Sequence, residues 1–334
     1  MRNLFLGYYK PTEEEVKKLW NDAIIILDAN ALLNIYSYSE QTRDTTIDIL
    51  KKINSRLWLP HQFAFEYQKN RLSRISQETK NIADVKTKIT KLLENEIRSL
   101  RRHPFLTDKQ VKQLQEIGKT LENAEKQHEE LLTNDPFQEK IAEIFDNKVG
   151  GSPDEAQRKK LFEEGKSRYQ NRVPPGYCDY NDKDEESNTY GDYIGWKQII
   201  DYSKDKKLDI ILVTDDFKED WWLKVMGKRV GPRPELINEF NVESKGKIIH
   251  MYSVSSFLSN AADILHIEIP KEVIEEARAT PDPEDSYSKK KVIHPKKSKG
   301  DTPKSSSSER IDRESIKAVR DPDAPKTINE IEEE

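Results

Sequence analysis

A single cysteine, Cys178, stands among 334 residues. That excludes an internal disulfide framework and any zinc site built on several cysteines, and it fits a reducing, cytoplasmic setting. No uninterrupted apolar run approaches the roughly 18–20 residues that a membrane-spanning helix needs. The opening MRNLFLGYYKPTEEE has no basic segment followed by a long apolar one, so neither a signal peptide nor a membrane partner is expected. A surplus of one charge sign is also missing. With 56 basic and 61 acidic residues the net charge is -5, which draws no polyanion to the surface as a whole, so any contact with nucleic acid has to be local. Hydrophobic residues make up only 34% and charged residues 35%, the latter well above the roughly 25% of an average globular chain, so part of the length must be solvated helix or tail.

From residue 279 onward Leu, Phe, Trp and Met vanish and Pro, Ser, Lys and Glu take over. Such a composition cannot bury enough apolar surface to fold. Residues 279–334 are therefore expected to be a disordered charged tail and residues 1–278 the ordered part. Six lysines between residues 289 and 299 leave a weak basic tether as the alternative to a merely solvated tail.

In the ordered part, Thr12 and Glu15 form a T-x-x-E pattern that caps a short helix ending near Trp20. Four short β-branched or aliphatic runs follow: AIIIL at 23–27, RLWLP at 56–60, LDIILV at 208–213 and KIIHMY at 247–252. They suit parallel strands covered on both faces. Helical patterns lie between them, over 39–54, from near His61, over about 187–203, once or twice within 218–240, and from Val254. This alternation predicts an α/β fold with a central parallel sheet flanked by helices, and ligands at the carboxyl ends of the strands.

One stretch, residues 70–186, breaks the alternation. Apolar residues recur there at steps of three and four from Ile82 to Leu100 and again from Val111 to Leu131, with His103-Pro104-Phe105 between and a second capping box at Thr107 and Gln110. The spacing predicts a long inserted helical hairpin. Ser152, Pro153 and Glu155 read as the N-cap, first and third positions of a further helix.

Acidic residues fall where an α/β fold places its chemistry. Asp28 follows IIIL directly, and Asp215 and Asp216 follow LDIILVT. Glu66 lies in the second turn of the helix after WLPHQ, and Asp192 in the first turns of the helix before LDIIL. Clustered carboxylates are costly to bury without protons or a cation. Their hard oxygens suit Mg2+ or Mn2+ and not zinc. An ion so held activates water and stabilises phosphoryl oxygens. Asp28 or Asp216 alone reads equally well as a helix cap; the set of four around one strand-helix pattern argues for chemistry.

Neighbouring residues offer contacts to substrate. Asn30 is either a helix cap or a partner for the scissile phosphate. Arg43, Arg71, Lys218 and Arg233 lie close in sequence to the acidic motifs and suit backbone phosphates, although in so charged a chain each also reads as a solvated surface residue. Trp196, Trp221 and Trp222 can stack a base, but core positions are favoured for most of them. His61 stands off the helical face of Glu66 and has no partner histidine for a metal. An aspartyl-nucleophile phosphohydrolase of the haloacid type also opens with a strand ending in Asp, but its second Asp is replaced here by Asn30.

The segments LDANALLNIY, WLPHQFAFEYQKNR, TYGDYIGWKQI and ILVTDDFKEDWW, with GPRPEL and HMYSVSSFL behind them, resemble the PIN-like (PilT N-terminus) nuclease domains over roughly residues 20–265. The likeness is greatest to a bacterial branch with a helical insertion between the second and third acidic motifs. The resemblance implies a PIN-like nuclease domain over 1–278, with Asp28, Glu66, Asp192 and Asp216 as the catalytic, metal-holding acids. T-x-D spacing from Thr214 selects Asp216, and Asp215 is either a further metal ligand or the residue that positions it. Also implied is Mg2+- or Mn2+-dependent hydrolysis of phosphodiesters in nucleic acid, RNA before DNA, in a toxin-like or anti-phage defence effector. A free nuclease would harm its host, so a regulatory protein partner is expected, with the helical hairpin as its dock. The alternative is a non-catalytic nucleic-acid-binding or scaffold subunit that works through the same hairpin.

Overall fold

The computed structural model describes residues 1–97, 106–180 and 189–279. The expected tail beyond Ala279 and the His103-Pro104-Phe105 break lie outside the described residues. Described helices are α1 (Glu13–Asp22), α2 (Ala29–Leu33), α3 (Glu40–Lys52), α4 (His61–Lys91), α5 (Asp108–Glu130), α6 (Pro136–Ile144), α7 (Glu155–Gln170), α8 (Gly191–Lys206), α9 (Pro234–Glu243), α10 (Val254–Leu265) and α11 (Lys271–Ala279). Described strands are β1 (Ile24–Leu27), β2 (Ile210–Val213), β3 (Trp222–Val225), β4 (Lys228–Pro232) and β5 (Ile249–Tyr252).

Three of these strands build the expected parallel sheet, in the order β1-β2-β5. Leu27 stands beside Val213, and Val213 beside Tyr252, so the three carboxyl ends finish level. Ile25, Ile26, Ile210, Ile211, Leu212 and Val213 are all fully buried, as the unbroken apolar runs require for a sheet covered on both faces. RLWLP contributes less than a strand. Squeezed between a 3-10 turn at Asn54–Arg56 and the helix starting at His61, with Pro60 lacking a donor, it makes single bridges only, Leu57 to Ile25 and Leu59 to Val149.

Local signals set most helix starts. Thr12 and Thr107 cap α1 and α5 through full capping boxes with Glu15 and Gln110. For α7 the cap is Asp154 with Gln157 as its partner, two residues later than Ser152. Asp outcompetes because its carboxylate accepts from the Gln157 amide while the Gln157 side chain returns the bond. The predicted hairpin exists as α4 against α5, but its first arm is no separate helix: the helix opening at His61 continues without a break to Lys91.

The largest departure lies within 218–240, where one or two helices are expected: one of them exists, starting at Pro234, but residues 222–232 are not helical. They form an antiparallel hairpin, β3 with β4. Met226 and Gly227 turn it with φ of 52° and 72°, the pair of left-handed residues that a two-residue hairpin turn requires. Val225 and Val230 prefer extended backbone, and Gly231-Pro232 weakens a helix further. Only after Pro232 does the chain resume as α9, with Pro234 in its first turn.

Candidate functional site

The level strand ends place the acids. The ladder runs one residue past β1, where Asp28 N donates to Val213 O at 3.0 Å. Asp28 and Thr214 are thereby neighbours. The Thr214 hydroxyl donates to Asp28 Oδ2 and accepts from Asp216 N at 3.0 Å, so one side chain ties the first strand-end acid to the fourth. Asp28 is also the N-cap of α2, accepting from Ala31 N at 2.6 Å. Capping and membership of the acid group are thus the same placement.

Asp215 and Asp216 divide their work. The Asp215 carboxylate is held on both oxygens, by Asn34 Nδ2 and by Val254 N, each at 2.9 Å, and so fastens α2 and the start of α10 to the end of β2. Asp216 meets Lys218, whose amide donates to Oδ1 at 3.1 Å and whose ammonium lies 3.3 Å from Oδ2. The same ammonium is 2.7 Å from Asp179 Oδ1.

Glu66 and Asp192 come together through two helices. Gln62, one turn before Glu66 on α4, donates to Glu66 Oε1 at 2.8 Å. That oxygen fills the space beside Gly191 where a Cβ would stand, so only glycine lets the Glu66 carboxylate lie against the start of α8, next to Asp192. Gly176, at φ 91°, serves the other side of Asp192: a Cβ there would fall 2.8 Å from Asp192 Cβ and onto the Tyr169 hydroxyl.

Electrostatics show that these groups share a field. Burial drives the Asp28 carboxyl well above the usual range; its bonds from Thr214 and Ala31 oppose the rise, and the charges of Asp215 and Asp216 add to it. Asp216 is pushed up to about 7, first by burial, against the pull of Lys218 and with the repulsion of Asp192. For Lys218, burial disfavours the charge, but Asp216, Asp192 and Asp179 together outweigh it and keep the ammonium protonated. The site holds more negative charge than its protein partners offset. Among the described residues no group of three or more His, Cys, Asp or Glu side chains that could hold a metal ion is assembled. Donor chemistry nonetheless fits a hard divalent cation, since every acid here offers carboxylate oxygen and the excess charge is the kind a dication relieves.

The cations named for substrate have internal partners. Arg71 donates to Asp135 Oδ2 at 2.6 Å in a largely buried pair. Arg43 stacks over Phe137, 4.1 Å from the ring centroid. Arg233 bonds both Glu235 oxygens and Glu219 O. Lys218 belongs to the acids, and Asn30 is half-buried in the first turn of α2. Trp196, Trp221 and Trp222 are core residues, and Trp222 Nε1 donates to Asp216 O at 2.7 Å. Sequence reasoning missed Asp179 and Asp220, the latter wholly buried and accepting from Cys178 N at 2.9 Å. Asp220 had a signal, standing four residues after Asp216 in DDFKED; Asp179, in a short 3-10 turn (Tyr177–Asp179), had none.

No helix among the described residues is long and apolar enough to cross a membrane. No curated protein and no solved structure matches the chain. A family model, described as a PIN like domain, matches residues 24–236, from β1 to the start of α9, and so contains Asp28, Glu66, Asp192, Asp215 and Asp216. With well over half of its length inside that match, the chain belongs to the PIN-like domain family, whose members have a nuclease-type function in general.

Proposed function

We propose that the protein is a metal-dependent nuclease that hydrolyses phosphodiester bonds in RNA, and less readily in DNA. The observation that carries this reading is the Thr214 hydroxyl bonded at once to Asp28 and to the Asp216 amide, which fixes two strand-end carboxylates side by side in a buried, over-negative site. Asp28, Glu66, Asp192 and Asp216 would hold Mg2+ or Mn2+. Asp215, with both oxygens engaged, orients α2 and α10 around them. When bound, the ion supplies an activated water and charge stabilisation at the phosphate. The chain's own contribution is to orient: Thr214 links Asp28 to the backbone of Asp216, Gln62 aims Glu66, and Lys218 bridges Asp216 and Asp179 as a fixed positive charge.

A second element of the reading is restraint. The α4–α5 hairpin leaves Leu72, Val85 and Ile117 each close to half exposed. A regulatory protein partner would cover such side chains, and a cytoplasmic toxin-like or anti-phage effector is the setting in which a nuclease needs one.

Calorimetric titration of Mn2+ into the full chain tests the metal assignment. Binding is expected to weaken at least about tenfold in Asp28→Asn and in Asp216→Asn. Equal heats for all three proteins would count against the site.

A further inference from the structure

The hairpin of β3 and β4 has no counterpart in the sequence-based expectation, and its chemistry is one-sided. From Trp221 to Pro234 the sequence carries Lys224, Lys228, Arg229 and Arg233 and no acidic residue, in a chain whose net charge is -5. All seven residues from Lys224 to Val230 are exposed, Met226 at the turn by 96%. The ribbon therefore projects from the body as an arm.

Pairing sharpens the point. Lys224 stands directly opposite Arg229 across the two strands, and Lys228 opposite Val225. Like charges facing one another on a ribbon destabilise it; Arg229 feels the charge of Asp215, but among the described residues no carboxylate forms an ion pair with Lys224, Lys228 or Arg229. An anionic partner would. The arm is rooted at the acid site, since Trp222 Nε1 bonds Asp216 O and the Arg229 guanidinium lies over Phe217 and Trp222, 4.0 Å and 4.8 Å from their ring centroids. Its foot is closed by Arg233, whose amide donates to Trp221 O and whose guanidinium reaches Glu219 O.

We propose that the β3–β4 hairpin is a phosphate-gripping arm that lays the backbone of a nucleic-acid strand across the carboxylate site, with Lys224, Lys228 and Arg229 as its contacts. This rests on the nuclease reading for the identity of the strand. The arm explains how a chain with no overall attraction to a polyanion recruits one: a short, wholly basic element beside a negative pocket steers the backbone to the rim while the acids keep phosphate out of every position that lacks a cation.

The test is fluorescence anisotropy with labelled single-stranded RNA and DNA oligonucleotides, on the full chain in EDTA and over a range of NaCl, so that binding is read without cleavage. Lys224→Gln/Lys228→Gln removes charge and leaves the Arg229 stacking in place. The double variant is expected to bind about tenfold more weakly at equal salt, with the slope of log affinity against log salt reduced by roughly 1.5, at a melting temperature no lower than that of the parent. Affinity and slope equal to those of the parent overturn the arm, as does a parent protein that binds neither oligonucleotide. Cleavage with Mn2+ is scored separately: a parent that cleaves while the double variant binds normally leaves the nuclease and removes the arm. Salt-sensitive binding lost in the double variant, without cleavage under any metal, keeps the arm and removes the nuclease.

Discussion

Thr214 lies between the two acids that end adjacent strands, donating to one carboxylate and accepting from the amide of the other. Valine there has nearly the same shape and no hydroxyl. Thr214→Val is expected to lower cleavage about 10- to 100-fold while costing about 1–2 kcal/mol in stability, because the buried Asp28 oxygen loses a donor. Initial rates together with urea unfolding check both halves, and a full loss of folding would show that Thr214 is structural only. At this scale the acids were legible because a buried run that ends in Asp is chemically conspicuous. The glycines were not: nothing in TYGDY says that a neighbouring carboxylate fills the Cβ space of Gly191. Cations were the least legible, since proximity in sequence to a motif does not reveal that Arg71 turns inward to Asp135 or that Lys218 turns toward the acids.

Single polar residues join several elements at once. Asp135 caps α6 through the amides of Phe137 and Gln138, accepts from the Tyr36 hydroxyl at 2.7 Å and pairs with Arg71 on α4. Asp135→Ala should therefore cost about 3–5 kcal/mol, the scale of breaking a buried pair by removing one partner. Arg233→Ala, which breaks only exposed bonds, should cost at most about 1 kcal/mol. Denaturant midpoints compare the two, and equal losses would refute the role given to Asp135. The parallel strands and the capped helices could be read in advance because apolar period and cap chemistry are local. The β3–β4 hairpin is not legible as one because its decisive signal, Met226-Gly227 between Val225 and Lys228, is two residues long and competes with a charged stretch of helical composition. RLWLP falls short of the full strand its apolar Leu-Trp-Leu core suggests, because that local character says nothing of the turn and helix that crowd it.

At the scale of the whole molecule, a titratable group outside the acid site sets part of the pH dependence of stability. His250, half-buried in the edge strand β5 and 4.4 Å from the Tyr252 ring, is held down to about 4 by burial. An unfolded chain takes up that proton near 6.5, so stability that is complete above about 6.5 is lost as the pH falls toward 4. Replacing His250 with Phe should flatten this dependence by on the order of 1–2 kcal/mol, read from urea midpoints at pH 7 and pH 4.5; an unchanged slope would place the acid sensitivity elsewhere. The nuclease activity we propose rests instead on the carboxylates at the carboxyl ends of β1 and β2. The most direct test is cleavage of labelled RNA and DNA oligonucleotides by the purified full chain in Mg2+, Mn2+ or EDTA, beside Asp28→Asn and Asp216→Asn. Cleavage that needs the metal, favours RNA and falls at least about a hundredfold in both variants is the predicted result. Cleavage that survives both substitutions, or that proceeds in EDTA, would contradict the assignment of the site.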